Sequence, residues 1–372
     1  MTKNQIAKII IFPTILILIT YLISAILCHP GTYGELNYSL FYKEKNLDVV
    51  FVGPSTIYND FLPTEAYKNY GYTSYNFAGA GQTINVTKYA ISEVVRTKKP
   101  QLVVVELNNV SYTTSVMEDV RIREFLSTIP NSANKRKIMK ELNLDKDMSY
   151  KIKLLHYHSN WKNPAEVLSG AVCNMYKLQN KQSVFKGWAT VEKFFNPDSH
   201  NIQPFTNEKT PITEENEAKL RSLLDYCASL KNQQFMFVRY PRWTLADLNP
   251  DAQKQANYIR DILAEYGFGY EDYSQDFIEN HCDIYKDFSD HEHLNYLGAT
   301  KFTKYLSEKI LNNYVININH SEKEKAQWDT WAQECFNYSQ KIKTSLETNP
   351  RGRYLSEYNY YAETLGIKKL SN

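Results

Sequence analysis

The sequence predicts an α/β protein: a three-layer α/β/α sandwich, doubly wound around a parallel sheet, carried on one N-terminal transmembrane helix. Residues 9–27 contain no charged side chain. Beyond residue 47, short unbroken apolar runs ending near small or polar residues alternate with stretches of helical spacing. Such runs mark strands buried on both faces, and strand–helix alternation implies right-handed crossovers between parallel strands.

The elements follow in order. As a helix, residues 9–27 would measure roughly 28 Å, about the thickness of a bilayer's hydrocarbon core. Lys3 and Lys8 precede the run and Glu35 is the first charge after it, so residues 1–8 are expected in the cytoplasm and the remainder outside. A cleaved signal peptide would carry a shorter apolar core, about 7–15 residues, and a small-x-small cleavage site that is not found here. A lipid anchor on Cys28 would want a small residue where Leu27 stands. Pro13 is tolerated in a membrane helix. Residues 28–46 read as a juxtamembrane linker.

Asp48-Val49-Val50-Phe51-Val52-Gly53 is the first strand. A helix over 63–70 leads to a second strand over 73–77, which runs into Ala78-Gly79-Ala80-Gly81. A helix over 83–98, stopped by Lys98-Lys99-Pro100, precedes a third strand over 101–107. The stretch 111–210 breaks the alternation and reads as a helical insertion over one edge of the sheet. A helix over 214–231, a strand over 235–240 and helices over 251–266 and 297–311 restore it. The folded domain is expected over 47–315, followed by a polar helical tail over 316–372. No internal repeat or low-complexity tract interrupts the chain.

With 43% hydrophobic and 23% charged residues, the 372-residue chain has the balance of one globular domain with additions. Its net charge is +2 and no Lys/Arg stripe carries interleaved aromatics, so nucleic acid is not an expected partner. The 29 tyrosines suit sugar- or membrane-facing surfaces, and a biased genome explains them equally well. Five cysteines without CxxC or Cys/His spacing suggest neither a disulfide scaffold nor a metal, and no cofactor is expected.

In an open parallel sheet, ligands bind at the carboxyl ends of the strands. Four groups of residues fall there. Ser55, after Gly53-Pro54, has its hydroxyl where a nucleophile is needed, although the triplet alone reads better as a helix N-cap. Gly79 and Gly81 allow a ligand to approach the backbone and its N–H groups. Asn108 and Asn109, after the third strand, offer side-chain amides to a developing oxyanion, or simply form a turn. In Asp290-His291-Glu292-His293, the three-residue spacing lets the carboxylate orient the imidazole of His293, which can then take a proton from a hydroxyl near neutral pH. A metal on His291 and His293 is the rival, but no third ligand accompanies them at suggestive spacing. Tyr58, Asn59 and Trp243 border the pocket or are ordinary packing.

In order and placement these groups resemble the four blocks of the SGNH/GDSL hydrolase family, over most of residues 47–311. The resemblance implies a flavodoxin-like sandwich with Ser55 as nucleophile and Asp290 and His293 as acid and base. The oxyanion hole would comprise the N–H groups of Ser55 and Gly81, with Gly79 as alternate, and the Asn108 amide, with Asn109 as alternate. The chain departs from the family pattern in three places: Pro54 stands where Asp is commoner, Ala78 replaces the first glycine of the second block, and Glu106 and Asn109 replace the Gly and Asp of the third. Asp290 and His293 match the fourth block fully.

The N-terminal helix makes the chain look most like the membrane-tethered branch found beside membrane-bound O-acyltransferases in polysaccharide O-acetylation or teichoic acid D-alanylation. The implied function is a serine acyl-ester hydrolase or O-acyltransferase. Its partners would be an acylated glycan or envelope polymer and such an acyltransferase. The alternatives are a non-catalytic partner of the same fold, a glycan-binding module or a metal-dependent phosphodiesterase.

Overall fold

Seven strands form among the described residues: β1 (Val49–Gly53), β2 (Ser74–Ala78), β3 (Leu102–Glu106), β4 (Ala189–Val191), β5 (Gln234–Arg239), β6 (Tyr270–Asp272) and β7 (Tyr354–Ser356). The computed structural model describes residues 3–28, 32–111, 114–179 and 182–367. Residues 1–2, 29–31 and 368–372, at the expected N-terminal segment, linker and tail, lie outside the described residues, as do 112–113 and 180–181 of the insertion.

Five strands form one parallel sheet in the order β2-β1-β3-β5-β6. β1, β2 and β3 are buried along their whole length; β1 and β3 are apolar on both faces, and β2 buries the polar Ser74 and Asn76 as well, with the Asn76 amide donating to Phe61 O. From β1 the chain steps outward to β2, then back past β1 to β3. Right-handed crossovers therefore put the β1–β2 and β2–β3 connections on opposite faces.

The first connection carries α3 (Ser55–Asp60) and α4 (Pro63–Tyr70), and α14 (Tyr296–Asn313) packs on both. The second carries α5 (Ile84–Thr97), against which α11 (Glu214–Ser229) packs, while α12 (Ala252–Glu265) and α13 (Ser274–His281) flank β6. The change of direction between β1 and β3 makes their carboxyl ends a topological switch point, the place where ligands bind in open parallel sheets.

α1 (Lys3–Leu27) contains the stretch Lys8–Leu27, long and apolar enough to cross a membrane, exposed over most of its length and partly covered only at its end. Within the expected linker, residues 32–41 form a packed helix, α2 (Thr32–Phe41), which touches β2. Leu36, Tyr38, Leu40 and Phe41 are all buried, and the Asn37 amide donates to Ala78 O at 2.8 Å. Tyr and Gly in this segment resemble loop composition, but the apolar residues among them pack against β2 at the edge of the sheet.

The insertion comprises α6 (Ser115–Thr128), α7 (Ala133–Glu141), α8 (Met148–Lys151), α9 (Leu154–Tyr157), α10 (Pro164–Leu178) and β4. Through α2 it covers the β2 edge, where the Asn76 N–H donates to Lys186 O at 2.9 Å. Gly187, at φ +81°, lies so near that an added Cβ would come within 2.4 Å of Asn76 O. The C-terminal segment folds back as α15 (Glu322–Thr348) on α4, β7 paired antiparallel with β4, and α16 (Glu357–Thr364) on α2 and α10.

Candidate active site

Pro54, with extended backbone, occupies the N-cap position of α3, so Ser55 is the first helical residue and not the cap. The chain turns this sharply because of Gly53: a Cβ there would stand 2.9 Å from both Glu106 Cβ and Ile57 Cγ1. Ser55 is half-buried, and the Asn59 amide donates to its carbonyl at 3.0 Å.

The imidazole arrives on the loop between α13 and α14. Asp290 Oδ1 accepts the N–H groups of Glu292 and His293, each at 2.9 Å, a local turn that folds the histidine over its own acid. His293 Nδ1 lies 3.0 Å from both carboxylate oxygens, and Nε2 lies 2.7 Å from Ser55 Oγ. With the Nδ1 proton donated to Asp290, Nε2 carries the lone pair that accepts the Ser55 hydroxyl.

Three further contacts hold the loop. The Leu294 N–H donates to Asp60 Oδ1 at 2.9 Å, which joins the end of the Ser55 helix directly to the residue after His293. The Arg242 guanidinium donates to Glu292 Oε2 at 2.7 Å, and the Trp243 N–H donates to His291 O at 2.7 Å. Asn295 caps α14 by accepting from the N–H groups of Leu297 and Gly298.

Electrostatics suit a base and its acid. Burial opposes charge on both members, but the His293 hydrogen bond and charge outweigh it and bring Asp290 down to about 2. Burial likewise lowers His293, and the Asp290 hydrogen bond and charge reverse this, leaving the imidazole above its ordinary value of 6.5. His291 shows the opposite result, because burial lowers it and it has no partner like Asp290. Below the turn, burial pushes the Glu106 carboxyl up to about 7. Asp60 is also raised, by burial first, with the Leu294 N–H opposing.

The two glycines differ. The Gly79 N–H is committed to Gly53 O at 3.3 Å, and a Cβ at Gly79 would strike the Tyr38 hydroxyl. Gly81 takes the left-handed φ of +55° that favours glycine, and its N–H meets no acceptor among the described residues. The Asn108 amide is buried with no hydrogen-bond partner among the described residues, an arrangement that calls for a ligand or another explanation. β1 pairs with β2 at Gly53↔Ala78 and with β3 at Val52↔Val105, so Ser55, Gly81 and Asn108 leave neighbouring strand ends.

Asn109 is buried on the same 3₁₀ turn as Asn108. Tyr58 is buried, with its ring 6.3 Å from that of Tyr354, while Trp243 packs against Phe288.

Sequence reasoning missed Asp60, Arg242 and Arg121. Arg121 Nε would lie 3.4 Å from a Cβ on Gly81, and the same side chain pairs with Glu124 at 2.9 Å. It also lines a cleft of about 450 Å³ together with Arg123, Tyr150 and Tyr157. Asp60 carried one signal, an acidic residue in an otherwise uncharged segment ending the Ser55 helix; Arg121, in an insertion without pattern, carried none. Among the described residues no group of three or more His, Cys, Asp or Glu side chains is placed to hold a metal ion.

No family model and no curated protein matches the chain. Among solved structures, one titled as a gut microbial diltiazem-metabolizing enzyme is similar at a TM-score of 0.24 and 11% identity. The likeness covers 72% of this chain and 48% of that one, and at so low a score it carries no argument.

Proposed function

We propose that the chain is a membrane-anchored, extracytoplasmic serine acyl-ester hydrolase or O-acyltransferase of SGNH type, acting on glycans or polymers of the cell envelope. The observation that carries this reading is the continuous relay of Asp290, His293 and Ser55 at 3.0 and 2.7 Å. The Asn108 amide, without a hydrogen-bond partner among the described residues, and the left-handed Gly81 support it further, and α1 supports the anchor.

In the first half-reaction, His293 Nε2 takes the Ser55 proton as Oγ attacks the ester carbonyl. The N–H groups of Ser55 and Gly81 and the Asn108 amide receive the oxyanion, each such donor contributing about 3 kcal/mol to lowering the barrier. As the tetrahedral intermediate collapses, the C–O bond to the leaving alcohol breaks and Nε2 returns the proton to that oxygen. The acyl group remains on Ser55.

In the second half, Nε2 deprotonates an acceptor hydroxyl, which attacks the acyl carbonyl. Collapse releases the new ester or acid, and Oγ recovers its proton. Water as acceptor gives hydrolysis; a glycan hydroxyl gives transfer.

The test is covalent labelling by a fluorophosphonate, together with turnover of p-nitrophenyl acetate. The wild-type chain is expected to label and turn over; Ser55→Ala should do neither, and His293→Ala should lose turnover while still folding cooperatively. Labelling of Ser55→Ala at the wild-type rate would reject the nucleophile.

A further inference from the structure

The insertion gathers around the end of α1. α9, α10 and the 3₁₀ turn His158–Lys162 all touch it. The Asn160 amide donates to Leu27 O at 2.9 Å, and the Asn174 amide donates to Ala25 O. α10 has two faces. Val172, Cys173 and Tyr176 are buried in a small cluster with Leu36, Leu40, Tyr358 and Tyr361. Leu168, Met175 and Leu178 face outward, at positions that fall within a sector of about 80° on a helix of 3.6 residues per turn. Leu178 is 80% exposed, and Trp161, on the preceding turn, is 63% exposed. Ile152, just beyond α8, and Leu155, on α9, which also touches α1, are exposed as well, at 47% and 54%.

Large apolar side chains left exposed together on α10 and the turns before it call for a partner, and the charge and position of the segment indicate which one. Residues 148–179 contain four lysines (151, 153, 162 and 177) against one acidic residue, Glu166. Apolar residues, an exposed tryptophan and an excess of lysine make up the composition of segments that lie in a membrane interface, with the indole among the headgroups and the ammonium groups near anionic phosphates.

Apart from Ile152, these side chains sit on elements that touch α1. Ala25 and Leu27, which accept from Asn174 and Asn160, end the apolar stretch, so if α1 spans a bilayer its neighbours stand at headgroup depth.

We propose that the face formed by Ile152, Leu155, Trp161, Leu168, Met175 and Leu178 rests in the headgroup layer of the leaflet from which α1 emerges, with a preference for anionic lipid. The inference rests on the reading of α1 as a membrane anchor. Its consequence is that the domain is held in one orientation beside the anchor and does not swing on a tether.

The test uses the full chain in nanodiscs of phosphatidylcholine and phosphatidylglycerol, with or without lipids brominated high on the acyl chain. Of the five tryptophans, the four other than Trp161 are buried in the fold. Bromine is therefore expected to quench wild-type emission by an extra share approaching one tryptophan in five, and this share should vanish in Trp161→Phe. Leu168→Asp combined with Leu178→Asp, both at exposed positions, should also diminish it, as should omission of phosphatidylglycerol. Equal quenching of wild type and Trp161→Phe in chains that have entered the discs would overturn the docking alone and assign the face to a protein. A chain that does not enter the discs would overturn anchor and docking together.

Discussion

Asp290 accepts three N–H groups, two from the backbone and one from the imidazole, and this sets the expected pH behaviour of the site. The carboxylate favours the imidazolium, so His293 is raised. Catalysis needs the neutral ring, so kcat/KM should fall as pH drops through a value above 6.5. Asp290→Asn is expected to lower that inflection and to reduce kcat by about 10⁴-fold, as loss of the orienting acid does in serine triads generally; a pH–rate profile of the variant measures both.

The linkage to stability runs in the opposite sense for the two residues. The raised His293 contributes stability that is complete below its ordinary value of 6.5 and is lost as pH rises through the folded value. Asp290 contributes above its ordinary 3.8, and that contribution disappears as pH falls toward about 2. At the oxyanion side, Asn108→Ala should reduce kcat by about 10²–10³-fold with KM little changed, because the interaction forms only with the transition state. Steady-state kinetics on the ester substrate would show a raised KM instead if Asn108 only bound substrate.

Among the elements, α3 connects the two halves of the site. It begins with Ser55 and ends with Asp60, whose side chain holds the backbone of the His293 loop. The side chain is fully buried and its carboxyl is raised by burial, so a neutral residue with the same acceptor should serve. Asp60→Asn is expected to keep stability and turnover. Asp60→Ala leaves the Leu294 N–H without a buried acceptor, at a cost of about 1–3 kcal/mol, and frees the loop. Urea denaturation and kcat measured together test the pair, and equal behaviour of the two variants would remove Asp60 from the positioning role.

The strand–helix alternation from 48 to 107 was legible because β1 and β3 are buried on both faces and read as apolar runs, while β2 alternates Ser74 and Asn76 with Tyr75 and Phe77. α2 was not legible, because its burial depends on β2 and on the returning C-terminal segment and not on a period of its own.

Across the whole molecule, distant segments share one interior. Lys186 and Glu44 are both fully buried and 2.8 Å apart, and the Glu44 carboxylate also accepts the Ser183 N–H at 2.8 Å. The Lys186 ammonium lies 3.3 Å from the centre of the Trp331 ring on α15. Glu44→Ala strands the ammonium in this interior and is expected to cost about 3–5 kcal/mol, read as a lowered urea midpoint. Residues 44, 186 and 331 thus depend on one another, although nothing in their spacing announces it.

The same division holds for the candidate site. Local physics wrote the parallel strands, the small residues that let the chain turn beyond them and the three-residue step from Asp290 to His293 into the sequence, because each depends on neighbours a few positions away. That Ser55 and His293, 238 positions apart, meet at 2.7 Å was decided by tertiary structure. So was the commitment of the Gly79 N–H to Gly53 O, while the Gly81 N–H meets no acceptor among the described residues, and the approach of Arg121 to Gly81. Contacts of that kind arise only once the crossovers have packed onto the sheet, and no periodicity along the chain encodes which side chains the packing will bring together.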